Sequence, residues 1–142
     1  MYSITREYNF SAAHRIEGHP KCGRLHGHNY LVKVTLFQRV TGVKGMIMDY
    51  ADLDKEVKPI IDAMDHRYLI SHDNIKRGDP YAELAMRLGH EYVLLCDYST
   101  AEQLSMMLHN TIWVRISRPP QMLLVEVIEA PKSSATYTEA ET

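Results

Sequence analysis

Directly after His26-Gly27-His28 the chain alternates from Tyr30 to Phe37, and that period of two reads as a β-strand with one buried face. A strand over roughly residues 28–38 turns successive side chains to opposite faces. His26 and His28 then point the same way while Gly27 points the other. Two imidazoles at one strand end can converge on one ion. A third, from Phe10-Ser11-Ala12-Ala13-His14, completes a set of three. Three histidines leave one position open, the arrangement of a catalytic zinc rather than a structural one. An HxH pair alone is weak evidence, because a histidine beside a strand is more often a surface or hydrogen-bonded core residue. Its weight here comes from His14 and from Cys22, four residues before His26. His19, His72, His90 and His109 lack such a pattern and read as ordinary polar positions.

The other elements follow from local signals. Tyr2 to Phe10 reads as a first strand running on toward His14, and a loop with Gly18, Pro20 and Gly23 leads to the second. Thr41 to Gly45 is a turn, followed by a short apolar strand through Met46, Ile47 and Met48. Asp49 can cap a helix to about Met64, with Leu53, Val57, Ile60, Ile61 and Met64 as its apolar stripe and Pro59 removing one donor inside it. Asp79-Pro80 opens a helix to Leu88 before Gly89, and Tyr92 to Cys96 is a brief extended run. Ser99-Thr100-Ala101-Glu102 has capping-box spacing and starts a helix through Leu104, Met107, Leu108 and Ile112. Met122 to Glu129 alternates as a strand, with Ala135 to Thr138 as its hairpin return. The sum is an α+β pattern, antiparallel strands at both ends and two main helices between them covering one sheet face. The open edges of such a sheet pair with other subunits or close into a barrel.

At 142 residues the chain fits one domain, 1–142. A formal net charge of −2 supplies no basic face for nucleic acid. No apolar stretch reaches bilayer length and no signal-peptide pattern opens the chain, so no membrane is expected. Cys22 and Cys96 then read as reduced thiols of a cytoplasmic protein.

Several separated motifs carry a resemblance. They are Phe10-Ser11-Ala12-Ala13-His14, Cys22-Gly23-Arg24-Leu25-His26-Gly27-His28-Asn29-Tyr30, Gly45 to Leu53, Met64-Asp65-His66-Arg67-Tyr68-Leu69, Ser99 to Leu104, and Val125 to Glu129. In this order the chain resembles the 6-pyruvoyl-tetrahydropterin synthase family. The three residues between Cys22 and His26-Gly27-His28 are similar to its queuosine-pathway branch, the 6-carboxy-5,6,7,8-tetrahydropterin synthases. The resemblance implies the tunnelling fold: a four-stranded antiparallel sheet with two helices on one face, subunits joining edge to edge into a barrel, as a hexamer built from two trimers. It implies zinc on His14, His26 and His28, with Cys22, Asp65 and His66 catalytic and Glu129 anchoring the pterin. Asp65 and His66 would meet the zinc and Cys22 of a neighbouring subunit.

Each implied role has a chemical rationale. A thiol near a cation and an imidazole is a low-pKa proton acceptor, although a free cysteine is more often a small buried residue. A carboxylate beside an imidazole orients it for proton shuttling near neutral pH, although Asp65 and His66 would equally suit a helix end. Glu129 shares a strand face with Val125 and Val127, an awkward place for an unpaired carboxylate unless a guanidine-like N–H edge meets it. The implied activity is a lyase acting on 7,8-dihydroneopterin triphosphate and releasing 6-carboxy-5,6,7,8-tetrahydropterin, acetaldehyde and triphosphate. Arg15, Lys21 and Arg24 are the nearby cations for the triphosphate. A pyruvoyl-pterin synthase, a folate-precursor activity and a non-catalytic pterin-binding module are the alternatives. The chain departs from the family pattern at four places. Leu69-Ile70-Ser71 lacks the usual Leu-Asn, Ser99 and Gln103 replace the Pro and Asn of PTAEN, Ala130 follows Glu129 in place of Thr, and residues 71–98 form a longer connection.

Overall fold

The two longest strands are β1 (Tyr2–His14) and β2 (His26–Gln38), paired antiparallel from Tyr2 opposite Gln38 to His14 opposite His26. The computed structural model describes residues 1–95 and 97–139. Cys96, expected at the end of an extended run, lies outside them. Alternation holds along both strands. Tyr8, Phe10, Ala12 and His14 on β1, and Tyr30, Val32, Val34 and Leu36 on β2, are buried on one face. That face continues onto β5 (Met122–Ala130), antiparallel to β2, whose Leu123, Val125 and Val127 are buried. β6 (Ser133–Thr138) closes the hairpin.

Two helices cover this face, as the periodicity predicts. α1 (Tyr50–Asp62) is capped by the Asp49 carboxylate, which accepts the Ala51 amide at 2.7 Å, and it buries Leu53, Val57, Ile60 and Ile61. It ends before Met64, which is buried in the following turn. α4 (Ala101–Arg115) buries Leu104, Leu108 and Ile112. Its cap is Thr100, not Ser99, because Thr100 Oγ1 accepts the Gln103 amide while the Ser99 hydroxyl donates to the Arg15 carbonyl at 3.1 Å. The capping-box spacing was one residue out of register, since a tertiary bond claims the first hydroxyl.

The sheet is larger than the expected four antiparallel strands. It has six, in the order β4-β3-β1-β2-β5-β6, and it is mixed. β3 (Arg67–Ser71) lies parallel to β1 at Ala12 and Ala13, and β4 (Tyr92–Leu95) lies parallel to β3. Parallel neighbours need a crossover of a dozen residues or more. The long 71–98 connection supplies it with α2 (His72–Lys76) and α3 (Pro80–Leu88), so four helices rather than two stand among the described residues. α3 begins and ends as its sequence predicts, with Asp79 accepting the Tyr81 amide at 2.9 Å and Gly89 left-handed at φ 70°.

Met46 to Met48 form no strand. A short 3-10 turn at Val43–Gly45 takes up the neighbouring backbone groups, with the Gly42 amide donating to the Met46 carbonyl at 2.8 Å. Those residues therefore have no ladder partner, and Met48 is buried against the core instead. No described helix is long and apolar enough to cross a membrane. In a single chain the sheet stays open, with β4 and β6 at its edges.

Candidate metal centre and active site

The buried face of β1 and β2 ends in imidazoles. Register places His14 opposite His26 and Ala12 opposite His28, so the three histidines crowd one corner. His14 Nε2 lies 3.1 Å from His26 Nε2 and 3.1 Å from His28 Nε2. The three ligand atoms lie within 4.8 Å of one another.

Their hydrogen bonds limit what the cluster can hold. His14 Nδ1–H donates to the Ser99 carbonyl at 2.7 Å, and His26 Nδ1–H donates to the Arg24 carbonyl at 2.6 Å. A carbonyl only accepts, so in both neutral rings Nδ1 carries the hydrogen and Nε2 a lone pair. Two lone pairs at 3.1 Å repel unless a proton or a cation lies between them. A shared proton is disfavoured, because burial first, and the neighbouring His26 and His28 after it, pull His14 down to a pKa of about 4 against the opposing Ser99 bond. Burial likewise lowers His28, with Glu129 opposing and His26 reinforcing. A cation resolves the arrangement. Tetrahedral ligand nitrogens at zinc bond lengths stand about 3.3 Å apart, close to the two distances from His14 Nε2. The Ser99 and Arg24 carbonyls fix tautomer and ring orientation as outer partners of metal-binding histidines do. The residues fit a metal ion.

A pH dependence follows. The unfolded chain has ordinary histidines near about pH 6.5, whereas folded His14 sits near 4. Below about pH 6.5 the unfolded state therefore binds more protons, and the metal-free fold loses stability as pH falls toward 4. Melting temperatures of metal-free wild type are expected to drop across that window more steeply than those of His14→Gln. Parallel profiles would contradict the depressed value.

Asp65 and His66 form the second group. His66 Nδ1–H donates to Asp65 Oδ2 at 2.8 Å, and the Ser11 amide donates to Asp65 Oδ1 at 2.8 Å. The His66 amide returns a 2.7 Å bond to the Ser11 carbonyl, and His66 adopts φ 56° to do so. The pair is thus not a helix end but a clamp on β1, three residues before His14. The Ser11 amide, then His66, hold the Asp65 carboxyl below the usual carboxylate range against the opposing effect of burial. Asp65 in turn fixes Nδ1 as the donor, leaving His66 Nε2 free to take a proton from the solvent side, where the side chain is 82% exposed. His66 and His28 line one open cleft of about 720 Å³ with Ser11, Asn29, His90 and Glu91.

Cys22 is neither among the metal-capable group nor on that cleft wall. It sits half-buried in the loop between β1 and β2, where its carbonyl accepts the Ile16 amide at 2.8 Å and its amide donates to His19 Nδ1 at 2.9 Å. His19 is therefore a structural part of the loop and not an ordinary polar position. So too His90 lines the cleft, and His109 is buried beside Trp113 and Tyr137. Glu129 sits at an irregularity in the β5–β6 pairing between Ile128 and Ala130, close enough to His28 and Tyr30 to affect both. Tyr30 packs edge-on to His14 and His28 and flat on Phe10, and its buried hydroxyl has no partner among the described residues. Of the three cations near the site in sequence, Arg15 is buried in ion pairs with Asp79 and Glu17, whereas Lys21 and Arg24 are exposed. Ser99, Ser11 and Tyr30 were missed as site residues. Two of them act through backbone groups, which carry no side-chain signal.

A family model described as 6-pyruvoyl tetrahydropterin synthase matches residues 3–140. The chain belongs to the 6-pyruvoyl tetrahydropterin synthase family. Within it, the chain is 30% identical over 146 residues to the 6-carboxy-5,6,7,8-tetrahydropterin synthase of Haemophilus influenzae, covering 98% of this chain and 100% of that protein. It is 31% identical over 118 residues to the enzyme of the same name from Rickettsia typhi, covering 82% and 83%. Among solved structures, the 6-pyruvoyl tetrahydropterin synthase of Caenorhabditis elegans superposes with a TM-score of 0.71 at 27% identity, over 98% of this chain and 96% of that one. Members of the family are pterin-synthase enzymes, and this chain is one of them.

Proposed function

We propose that the chain is a zinc-dependent lyase that converts 7,8-dihydroneopterin triphosphate and water to 6-carboxy-5,6,7,8-tetrahydropterin, acetaldehyde and triphosphate. The observation that carries the reading is the contact of the His14 and His26 Nε2 lone pairs, with His28 Nε2 at the same distance from His14, which calls for a cation at the end of a pterin-synthase sheet. Zinc held there supplies a Lewis acid that lowers the pKa of substrate hydroxyls. The protein groups do the proton work. Asp65 holds His66 with Nε2 available, and the Cys22 thiol is the second proton carrier. Glu129 takes the guanidine-like edge of the pterin in a paired hydrogen bond. Lys21 and Arg24 are the cations left for the triphosphate, because Arg15 is already neutralised.

Mass spectrometry of the products from 7,8-dihydroneopterin triphosphate tests the reading. Equimolar acetaldehyde and 6-carboxytetrahydropterin are expected. A pyruvoyl-pterin product would move the chain to the sister activity, and bound pterin without triphosphate release would make it a binding module.

Glu129→Gln separates recognition from chemistry. Loss of the charge is expected to weaken pterin binding by roughly 1.5–3 kcal/mol, the range for hydrogen bonds to charged groups, with metal content unchanged. Unaltered affinity in a calorimetric titration would make Glu129 structural only.

A further inference from the structure

Arg15, one residue after the metal-capable His14, is buried and ties together the β1–β2 loop, the start of α3 and the segment before α4. Its Nε donates to the Gly23 carbonyl at 2.8 Å, in the loop that carries Cys22. One terminal nitrogen donates to Asp79 at 2.7 Å, and the other pairs with Glu17 at 2.8 Å. The guanidinium lies 5.1 Å from the Tyr81 ring centre, on the first turn of α3. The Arg15 backbone carbonyl meanwhile accepts the Ser99 hydroxyl at 3.1 Å, while the Ser99 carbonyl orients His14. Asp79 is fully buried, caps α3 through the Tyr81 amide and also receives the Tyr68 hydroxyl at 3.3 Å. The carboxylate belongs to the long 71–98 connection that forms the crossover between β3 and β4.

We propose that Asp79 is a positioning residue for Cys22: through Arg15 and the Gly23 carbonyl, the 71–98 segment holds the Cys22 loop against the end of the metal-bearing strands. A second tie to the strands is the Arg24 carbonyl, two residues past Cys22, which accepts the His26 Nδ1–H at 2.6 Å. The loop's internal bonds, Ile16 to Cys22, Gly23 to His19 and Cys22 to His19, give it a shape but do not anchor it to the sheet. Gly23 is tight in this shape, since a Cβ there would meet the His19 carbonyl oxygen at 2.5 Å. Only a planar guanidinium can serve the Gly23 carbonyl and the Asp79 carboxylate together, one N–H for each at fixed angles. An ammonium at position 15 would satisfy one and leave the other. Losing the Asp79 charge leaves Glu17, whose side chain is partly exposed, as the remaining carboxylate partner of Arg15, so the guanidinium is held less firmly together with the loop it serves, while the α3 cap and the Tyr68 bond also feel the change.

The inference rests on the reading that Cys22 takes part in proton transfer, so its test uses a readout that needs no turnover. Asp79→Asn retains a capping side chain for α3, because Asn caps as well as Asp. The measurement is the rate of Cys22 alkylation by iodoacetamide at fixed pH, quantified on the peptide bearing Cys22, alongside metal content, kcat and KM. In Asp79→Asn and in Arg15→Lys the alkylation rate is expected to change at least fivefold, and kcat to fall at least tenfold with KM within twofold. Metal content should stay at that of wild type. Should both variants fail to fold, Tyr81→Leu, at a side chain 45% exposed, loosens the same guanidinium and is expected to change the alkylation rate at least twofold. Unchanged alkylation and kcat in folded variants would overturn the proposal, as would equal losses of metal and activity, which mark a general structural role. Failure of the functional reading looks different: Cys22→Ala would keep its turnover while the alkylation effect of Asp79→Asn remained.

Discussion

Replacing both His26 and His28 by Ala is expected to strip the metal from the protein and leave a folded chain without activity. The physical ground is where the two rings stand. Both lie at the end of β2, half-buried, beyond the fully buried Tyr30, Val32, Val34 and Leu36 that pack under α1 and α4. Deleting them removes two of three ligands and opens no hole in the core. A lone His14 cannot retain zinc against a chelator, because three-histidine sites depend on all three donors. Metal that binds the folded state alone also raises the melting temperature by mass action. The double variant should therefore melt near metal-free wild type and no longer respond to added zinc. Metal analysis after chelation and differential scanning calorimetry read this directly. A full metal complement in the variant would reject the assignment of the site.

Cys22→Ala is expected to keep metal and pterin binding and to lose turnover by about 10²-fold or more, the scale of a missing general acid or base. Near-normal turnover would return Cys22 to the role of a small packing residue. The same variant addresses assembly. Cys22 does not line the cleft that His66 lines, and the edges of the sheet at β4 and β6 stand open to other copies. If a site is completed by a neighbouring subunit, mixing Cys22→Ala with His66→Ala chains after reversible dissociation should restore a fraction of wild-type turnover. A hybrid interface then pairs an intact Cys22 with an intact His66. A mixture that exchanges subunits by mass yet stays inactive would place the whole site within one chain.

The metal corner was legible because it rests on local periodicity. Alternation places His26 and His28 on one face, and the same alternation on β1 carries Tyr8, Phe10, Ala12 and His14 onto the matching face. The helices α1 and α4 and the hairpin of β5 and β6 were legible for the same reason, as their apolar spacing and caps lie within a few residues of one another. The motif order carried the family, and the comparisons bear that out.

Long-range partners were not legible. The carbonyl that orients His14 belongs to Ser99, 85 residues away, and any residue type offers a carbonyl. The amide that fixes Asp65 comes from Ser11 on a strand 54 residues earlier. β3 is only five residues long and pairs with β1 at two positions, so its placement depends on the crossover through α2 and α3 more than on its own composition. Ser99 illustrates the competition most clearly: its local spacing fits a helix cap, but the Arg15 carbonyl takes its hydroxyl and Thr100 caps α4 instead. What the residues determine by themselves is which faces are buried and which side chains can bind a metal or move a proton. Which backbone groups orient those side chains, and that the 71–98 segment reaches back to the metal corner through Asp79, the tertiary structure alone decided, because such bonds form only after distant segments have packed together.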